Sequence, residues 1–320
     1  MKLNPFALFA LLLFGVQLSY SQSWTVYNTS NSSMLDNEVT AIGLGFGQLY
    51  VATDGGGIST LENEAWDNLD TSLVDDYCAV TDIAFATAND VWVVTDNNCG
   101  MKRIVNDQLA LDTLVFNLSL STVEIDEEGT AWVGNYGNGG LYEYIGNNFI
   151  SHNEVNSDNP NDYVWGIGIV NDSTRWVVGT HEVGLMADSG WTEFPNTFNP
   201  YPLWWDVVAD GNESAWFATT LGLVHYDGTD WIVYDETNSG MPASFSLDDF
   251  PDLVIDQDGN KWLASFSGLI KYDGTNWMVY NTSNSDLPSN TVTVVEVDSI
   301  NNVWVGTDNG LVKLTPTDPS

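Results

Sequence analysis

Short apolar runs and polar turns alternate along the whole chain after about residue 22, and the alternation repeats about every 42 residues. One aromatic residue, which we call the anchor, marks each repeat. The gaps between anchors are 42, 40, 44, 40, 46 and 42 residues, and the anchors are Tyr50, Trp92, Trp132, Trp176, Trp216, Trp262 and Trp304. A period of this length, with short apolar runs, is typical of a repeat array built from strands.

Each repeat contains the pattern of four short strands, and the last repeat shows three of them most clearly. These predicted strands cover residues 291–297, 303–307 and 310–314, and the turns between them are rich in Asp and Asn. Every repeat also has a glycine followed by a large apolar residue, such as Gly310-Leu311. Fourth strands are predicted to begin near Trp66, Leu109, Phe149, Trp191, Trp231 and Trp277.

The seventh repeat has no fourth strand of its own, but residues 24–27 near the amino end have the right pattern. The segment Tyr27–Ser32 is identical to Tyr280–Ser285, which follows a fourth strand. Pairing of the first strand with the last repeat would close a ring and hide the sheet edges. The sequence therefore predicts an all-β fold: a single seven-bladed β-propeller over residues 22–316, with four antiparallel strands per blade and a tail at 317–320.

An aspartate lies six residues before the anchor in four repeats, and we predict that it caps the turn between the first and second strands. These turn aspartates are Asp126, Asp210, Asp256 and Asp298. The run from Asp256 to Asn260 also resembles the first half of a calcium loop, but Ser267 stands where such a loop has Glu. A turn is the favoured interpretation; calcium stays an open possibility, and no other cofactor is expected.

The amino end has the pattern of a secretory signal peptide over residues 1–21. A basic start is followed by an apolar run from Phe6 to Val16 and a small-x-small cleavage motif at Ser19-Tyr20-Ser21. The run is short for a membrane span, so we expect export without membrane insertion, to the periplasm or beyond. Export permits a disulfide, and the hairpin spacing makes Cys78 and Cys99 the candidate pair.

The charge of the chain is strongly one-sided, with 7 Lys and Arg against 44 Asp and Glu and a formal net charge of −37. Nucleic-acid binding needs a basic face, so this composition excludes nucleic acid as a partner. It also argues against anionic membranes.

Three of the 14 tryptophans are surplus to the repeat: Trp165, Trp204 and Trp205. Trp165 and Trp205 each lie 11 residues before an anchor, in adjacent repeats, where the innermost strand should start at the channel mouth. Paired aromatics there could stack on sugar rings or clamp a peptide, or they could pack on each other and plug the ring. The flanking Tyr163, Tyr201 and Trp204 are further candidate ligand contacts.

The loops entering the fourth to sixth repeats are the longest, at residues 151–162, 194–203 and 235–249, and point to this sector as the functional one. His181, predicted on the same face, is a candidate ligand contact, and with Tyr163 it could supply the base and acid of a lyase. No Ser/His/Asp order, zinc spacing or phosphate loop is present, so no catalytic residue is assigned.

The repeat resembles the two-component regulator propeller repeat, which reads approximately N-x-V-x-x-(I/V)-x-x-D-x-x-G-N-x-W-(I/V)-G-T-x-x-G-L. The best matches run from Asn290 through Trp304 to Gly310-Leu311, and over Asp256–Trp262. The resemblance implies a propeller of the kind that forms the periplasmic sensor half of histidine kinases, and it suggests carbohydrate fragments as ligands. Here we expect one propeller without a kinase or effector domain.

The leading hypothesis is a secreted or periplasmic, non-enzymatic, sensor-type binding module that acts as a monomer. Its ligand would be a carbohydrate or a protein segment held at the channel mouth. The alternatives are a polysaccharide lyase or hydrolase and a cell-envelope assembly scaffold.

Overall fold

The computed structural model describes residues 22–315, apart from residues 56, 70–77, 98, 107, 114–118, 138, 146–147, 154–156, 158, 160, 181, 195–197, 199 and 242–251. The expected signal peptide and tail lie outside this range. The described residues form seven four-stranded antiparallel sheets arranged as blades, which confirms the predicted seven-bladed propeller. Within the described ranges, no helix has the length and apolar character needed to cross a membrane.

Twenty-eight strands build the seven blades in chain order. Blade 1 contains β2 (Val39–Gly45), β3 (Gln48–Thr53), β4 (Gly57–Glu62) and β5 (Ala65–Asn68). Blade 2 contains β6 (Val80–Thr87), β7 (Asp90–Thr95), β8 (Met101–Val105) and β9 (Gln108–Thr113). Blade 3 contains β10 (Leu120–Ile125), β11 (Ala131–Asn135), β12 (Leu141–Ile145) and β13 (Asn148–His152). Blade 4 contains β14 (Val164–Asn171), β15 (Thr174–Gly179), β16 (Val183–Ala187) and β17 (Gly190–Phe194).

The remaining blades follow the same order from the inner strand outward. Blade 5 contains β18 (Trp204–Ala209), β19 (Ala215–Thr219), β20 (Gly222–Tyr226) and β21 (Trp231–Tyr234). Blade 6 contains β22 (Leu253–Ile255), β23 (Lys261–Leu263), β24 (Leu269–Tyr272) and β25 (Trp277–Tyr280). Blade 7 contains β26 (Val292–Val297), β27 (Val303–Thr307) and β28 (Gly310–Thr315), and its fourth strand is β1 (Ser23–Tyr27).

The first strand of the chain closes the ring as predicted. β1 pairs antiparallel with β28, and Trp24 lies opposite Leu314 while Tyr27 lies opposite Leu311. The Tyr27 ring also stacks on Trp304 of blade 7 at 6.0 Å and meets Trp66 of blade 1 edge-on at 5.4 Å. This strand therefore completes one blade and also contacts its neighbour.

The anchors fill the wedges between blades, and all seven are no more than 5% exposed. Small residues make this packing possible. A Cβ atom on Gly306, two residues after the last anchor, would lie 2.5 Å from Val294 and 2.7 Å from Val39 of the next blade. Face-to-face stacking of neighbouring blades at interior density therefore requires a small residue at this place.

Three of the four turn aspartates, Asp126, Asp256 and Asp298, accept hydrogen bonds from backbone N–H groups of their turns, as predicted, and all four also hold the anchors. Each accepts a hydrogen bond from the anchor indole Nε1 of its own blade, at 2.7–3.1 Å. Asp256 shows the full set: its oxygens also accept from the backbone N of Asp258, and from the backbone N and side-chain Nδ2 of Asn260. Both oxygens are thus occupied by protein donors, as in a turn.

Blades 2 and 4 have no aspartate at the equivalent position, where Ala86 and Val170 stand instead. Their inner strands, β6 and β14, extend to eight residues and end in tighter turns. Within the described residues, the indole Nε1 atoms of Trp92 and Trp176 find no hydrogen-bond partner. The aspartate therefore decides whether the anchor N–H is satisfied.

Cys78 and Cys99 are joined by a disulfide, with their Cα atoms 5.7 Å apart. Cys78 lies two residues before β6, and Cys99 lies in the loop after β7. The bridge therefore ties together two connections at the same end of blade 2, as the hairpin spacing suggests.

Most basic residues of the chain contact the anchor tryptophans, either in their own blade or in a neighbouring one. Five of the seven Lys and Arg residues lie over anchor indoles, with 3.5–5.1 Å between the cationic group and the ring centroid. The shortest distance belongs to Arg175 of blade 4, over Trp132 of blade 3. These cation–π contacts stabilise the stacking of blades, and they place the scarce positive charges away from the channel.

Candidate functional site

The inner strands of the seven blades surround a central channel of about 540 Å³. Trp165 of β14 and Trp205 of β18 border it, as the spacing from their anchors predicted. Their strands start at the same face of the ring, so both indoles lie near one mouth of the channel. This is the largest departure from repeat symmetry among the described inner strands, since the other blades described there carry Thr or Ser.

The two indoles stack on each other, with ring centroids 4.6 Å apart and an interplanar angle of 17°. Trp205 is 7% exposed, while Trp165 is only partly buried. The pair is therefore a preformed aromatic wall rather than two independent platforms. Contact with a ligand would fall mainly on Trp165.

The other sequence-predicted contacts do not gather around this pair. Trp204 is 1% exposed and packs in the core against Phe217 and Trp231. Tyr201 is 74% exposed and lies outside the channel lining, as does Tyr163, which is partly buried at the start of β14. His181 lies outside the described residues, as do most of the long loop at 235–249 and part of the loop at 151–162.

Five carboxylates face the channel, and none was singled out from the sequence. Three are aspartates ten residues before an anchor and two are glutamates eight residues before one: Asp82, Asp206, Asp252, Glu124 and Glu296. We call them the channel carboxylates. Their constant offset from the anchors was a usable signal, because positions two apart on a strand share one face.

The three channel aspartates connect neighbouring blades through the backbone of inner strands. Asp82 accepts from Val123 N at 2.8 Å, Asp206 from Leu253 N at 2.9 Å, and Asp252 from Val295 N at 2.7 Å. These bonds join blade 2 to 3, blade 5 to 6, and blade 6 to 7. The aspartates thus have a structural role in the ring as well as a place in the channel wall.

Glu124 is different, because no described residue donates a hydrogen bond to its carboxylate. Burial, with the charges of Asp82, Asp206 and Asp252, raises its pKa well above the ordinary value. Burial and neighbouring carboxylates likewise raise the pKa of Glu296 and of Asp252 well above theirs, and burial raises the pKa of Asp206 to about 6. Each shift records crowding of like charges in a poorly solvated space.

Tyr136, in the loop after β11, is a further lining residue that the sequence did not indicate. Burial, with the charges of Asp96 and Asp82, raises its pKa to about 12, so its hydroxyl stays protonated. No Lys, Arg or His belongs to the described lining of the channel. The described residues also contain no group of three or more His, Cys, Asp or Glu close enough to hold a metal ion.

The two described histidines lie on outer strands, away from the channel. His152 of β13 pairs with Glu143 at 3.0 Å. His225 of β20 stacks on Trp216 and has Ser214 Oγ at 3.0 Å and Asp210 Oδ2 at 3.9 Å from the same atom, Nε2. A nucleophilic triad needs the acid on the other ring nitrogen, so this group does not have that geometry.

We compared the chain with families of known proteins. A family model described as "Two component regulator propeller" matches residues 286–309, which cover the sequence match noted above from Asn290 to Asn309. The chain carries the two component regulator propeller repeat. No curated protein sequence matches this chain.

Solved structures show the same propeller. One is described as the extracellular domain of a hybrid two component system, BT3049, from B. thetaiotaomicron: identity 21%, TM-score 0.74, with 92% of this chain and 41% of that chain covered. The chain therefore spans well under half of that extracellular domain.

Two other propellers are similar in shape. Virginiamycin B lyase from Staphylococcus aureus is 12% identical, with a TM-score of 0.73 over 93% of this chain and 100% of that chain. PorZ of Porphyromonas gingivalis, described as a surface component of the type-IX secretion system, is 16% identical, with a TM-score of 0.65 over 90% of this chain and 47% of that chain. At these identities the likeness concerns the fold alone.

Proposed function

We propose that this chain is an exported, sensor-type β-propeller that binds a carbohydrate fragment or a protein segment at the mouth of its central channel. The observation that carries the proposal is the stacked pair of Trp165 and Trp205 bordering an open channel of about 540 Å³. Such a volume is within the usual range for small-ligand sites. The mature propeller would comprise residues 22–316, in the periplasm or outside the cell.

Both ligand classes have specific support in the channel wall. A carbohydrate could lay a ring against Trp165 while the channel carboxylates accept hydrogen bonds from its hydroxyl groups. A protein segment could insert a basic side chain among the same carboxylates. The fold shared with the extracellular domain of the BT3049 two component system supports the sensor role.

The enzymatic and scaffold alternatives have weaker support. Virginiamycin B lyase shares the fold, but neither histidine of the described residues borders the channel of this chain. A scaffold role rests on the fold of PorZ alone. A binding module is the function that uses the residues found at the channel mouth.

A glycan array and a peptide library, each followed by tryptophan fluorescence titration, test the proposal. The wild-type chain should bind at least one class, with a fluorescence change and without product. The variant carrying both Trp165→Ala and Trp205→Ala should lose that binding, while Trp191→Ala, on an outer strand of blade 4, should keep it. Binding that survives loss of both indoles would remove the channel mouth as the site.

A further inference from the structure

We propose that the channel recognises a protonated amine or guanidinium group of its ligand, held between Trp165 and the channel carboxylates. This inference rests on the proposed function, because it names the ligand chemistry of the same site. It follows from the charge of the cavity, the state of its acidic groups and the aromatic wall at its mouth.

The charge imbalance inside the channel is the first step. Five carboxylates border one cavity, and the described lining contains no basic side chain. The basic residues that could have neutralised them lie over the anchors instead, as Lys261 does over Trp216 at 4.2 Å. An enclosed space with one sign of charge attracts and concentrates counter-ions of the opposite sign.

The hydrogen-bonding state of the carboxylates is the second step. Asp82, Asp206 and Asp252 are satisfied by backbone donors of the next blade. Glu124 borders the channel, and no described residue uses the acceptor capacity of its carboxylate. An ammonium group has three donors and no acceptor, which complements such a carboxylate.

The shape of the site decides between a metal ion and an organic cation. The described carboxylates do not form a group of three close enough to coordinate a metal. An indole at the mouth favours an organic cation, because ammonium and guanidinium groups bind aromatic faces. The cavity of about 540 Å³ also leaves room for the carbon skeleton of such a ligand.

Proton release gives the inference a distinctive signature. Burial raises the pKa of Asp206 to about 6, and burial with the charges of neighbouring carboxylates raises the pKa values of Glu124, Asp252 and Glu296 well above their ordinary values. Tyr136 stays neutral, with a pKa of about 12. A bound cation would lower the carboxylate pKa values and expel protons, so its affinity should rise with pH. A neutral sugar would release no protons.

Isothermal titration calorimetry with matched pairs of probes provides the test. The pairs are 1,5-diaminopentane against 1,5-pentanediol, a glucosamine disaccharide against its N-acetylated form, and Gly-Lys-Gly with both termini blocked against the same peptide with an Nε-acetylated lysine. The charged member of a pair should bind at least about tenfold more tightly, a difference within the range of one charge-assisted hydrogen bond. Repetition in buffers of different ionisation enthalpy should show protons released on binding.

Two variants of the full chain localise the effect. Glu124→Gln should weaken binding of the charged probe about tenfold or more and reduce proton release. Glu127→Gln removes the same charge from an exposed site outside the channel and should leave both unchanged. Circular dichroism checks that both variants are folded.

The outcomes separate this inference from the proposed function. Tighter binding of one charged probe, lost in Glu124→Gln, supports it, and the pair that responds shows whether the amine belongs to a sugar or to a protein segment. Equal binding of charged and neutral members, without proton release but dependent on Trp165 and Trp205, overturns the inference and leaves the proposed function standing. Failure of every ligand to bind at the channel overturns both.

Discussion

The turn aspartates and the channel carboxylates are the same kind of chemical group in two regions, with opposite consequences. At the turns, Asp256 and its counterparts receive hydrogen bonds from backbone and indole N–H groups. In the channel, Glu124 receives none from the described residues, and burial together with like charges raises its pKa. The turn aspartates stabilise the blades, whereas the charge of Glu124, which no described donor offsets, opposes the stability of the ring.

This difference distinguishes carboxylates that the fold requires from those that it does not. A carboxylate that accepts hydrogen bonds from a turn and from an anchor indole has a structural role in the repeat. A crowded set of carboxylates without counter-charges is not required by a propeller, since other blades have Ala, Gly, Val or Thr at the same places. Local features that oppose stability are expected at functional sites, so the channel is where a ligand should be sought.

Removal of a turn aspartate should have the largest effect. Asp256→Ala would leave the Trp262 indole N–H and the donors of Asn260 without their acceptor, and Asp256 is 5% exposed. We expect a loss of about 2–4 kcal/mol in the free energy of unfolding, measured by urea denaturation. Asp258→Ala, at an exposed position of the same turn, should cost less than about 1 kcal/mol; equal losses would contradict the role given to Asp256.

Anchor substitutions sharpen the comparison between blades with and without the aspartate. Trp262→Phe removes a hydrogen bond to Asp256, but Trp92→Phe removes none that the described residues make. We therefore expect Trp262→Phe to be more destabilising than Trp92→Phe by about 1–2 kcal/mol. Urea denaturation of both variants measures the difference, and a smaller loss for Trp262 would show that the indole bond contributes little.

Acidification from pH 7.5 to pH 5 should raise the melting temperature by a few degrees. The pKa of Asp206 is raised to about 6, and those of Glu124, Asp252 and Glu296 are raised further above their ordinary values near 4. The folded state then binds more protons than the unfolded state above about pH 4, so stability falls as pH rises through this window.

Two other groups of side chains affect this pH experiment in defined ways. Burial lowers the pKa of His225, so protonation of this one side chain on acidification would lower the melting temperature, whereas protonation of the four carboxylates would raise it. Backbone hydrogen bonds lower the pKa of exposed Asp227, and side-chain and backbone bonds lower that of Asp235, so both act only below their ordinary values near 3.8. Scanning calorimetry at both pH values measures the net effect, and a melting temperature lower at pH 5 would refute the charge crowding.

Neutralisation of one channel carboxylate should have the smallest effect, and its sign is informative. Glu124→Gln keeps the shape of the side chain and removes a crowded charge, so the melting temperature at pH 7.5 should rise by about 2 °C. The stability gained on acidification should also shrink. A clear loss of stability in this variant would mean that Glu124 has a structural partner in the ring.

The repeat made the architecture predictable from sequence, and the site only in part. Anchor spacing located Trp165 and Trp205, because any residue at a fixed offset from an anchor has a fixed place in its blade. Trp204 was also expected to contact a ligand. Because successive side chains of a strand point to opposite faces, Trp205 lies toward the channel and Trp204 lies in the core. The channel carboxylates escaped notice because only two or three blades carry each one.

The pairing of β1 with β28 has a consequence for how the molecule is made. Residues synthesised first must wait for those synthesised last, since Trp24 finds its neighbour Leu314 only when nearly the whole chain is available. An incomplete chain would keep blade 7 and blade 1 apart, with open sheet edges that invite aggregation. A circular permutation, with new ends in a turn between two middle blades and the present ends joined, would move the ring-closing strand pair to another blade. The yield of folded protein would then show whether late closure of the ring is limiting.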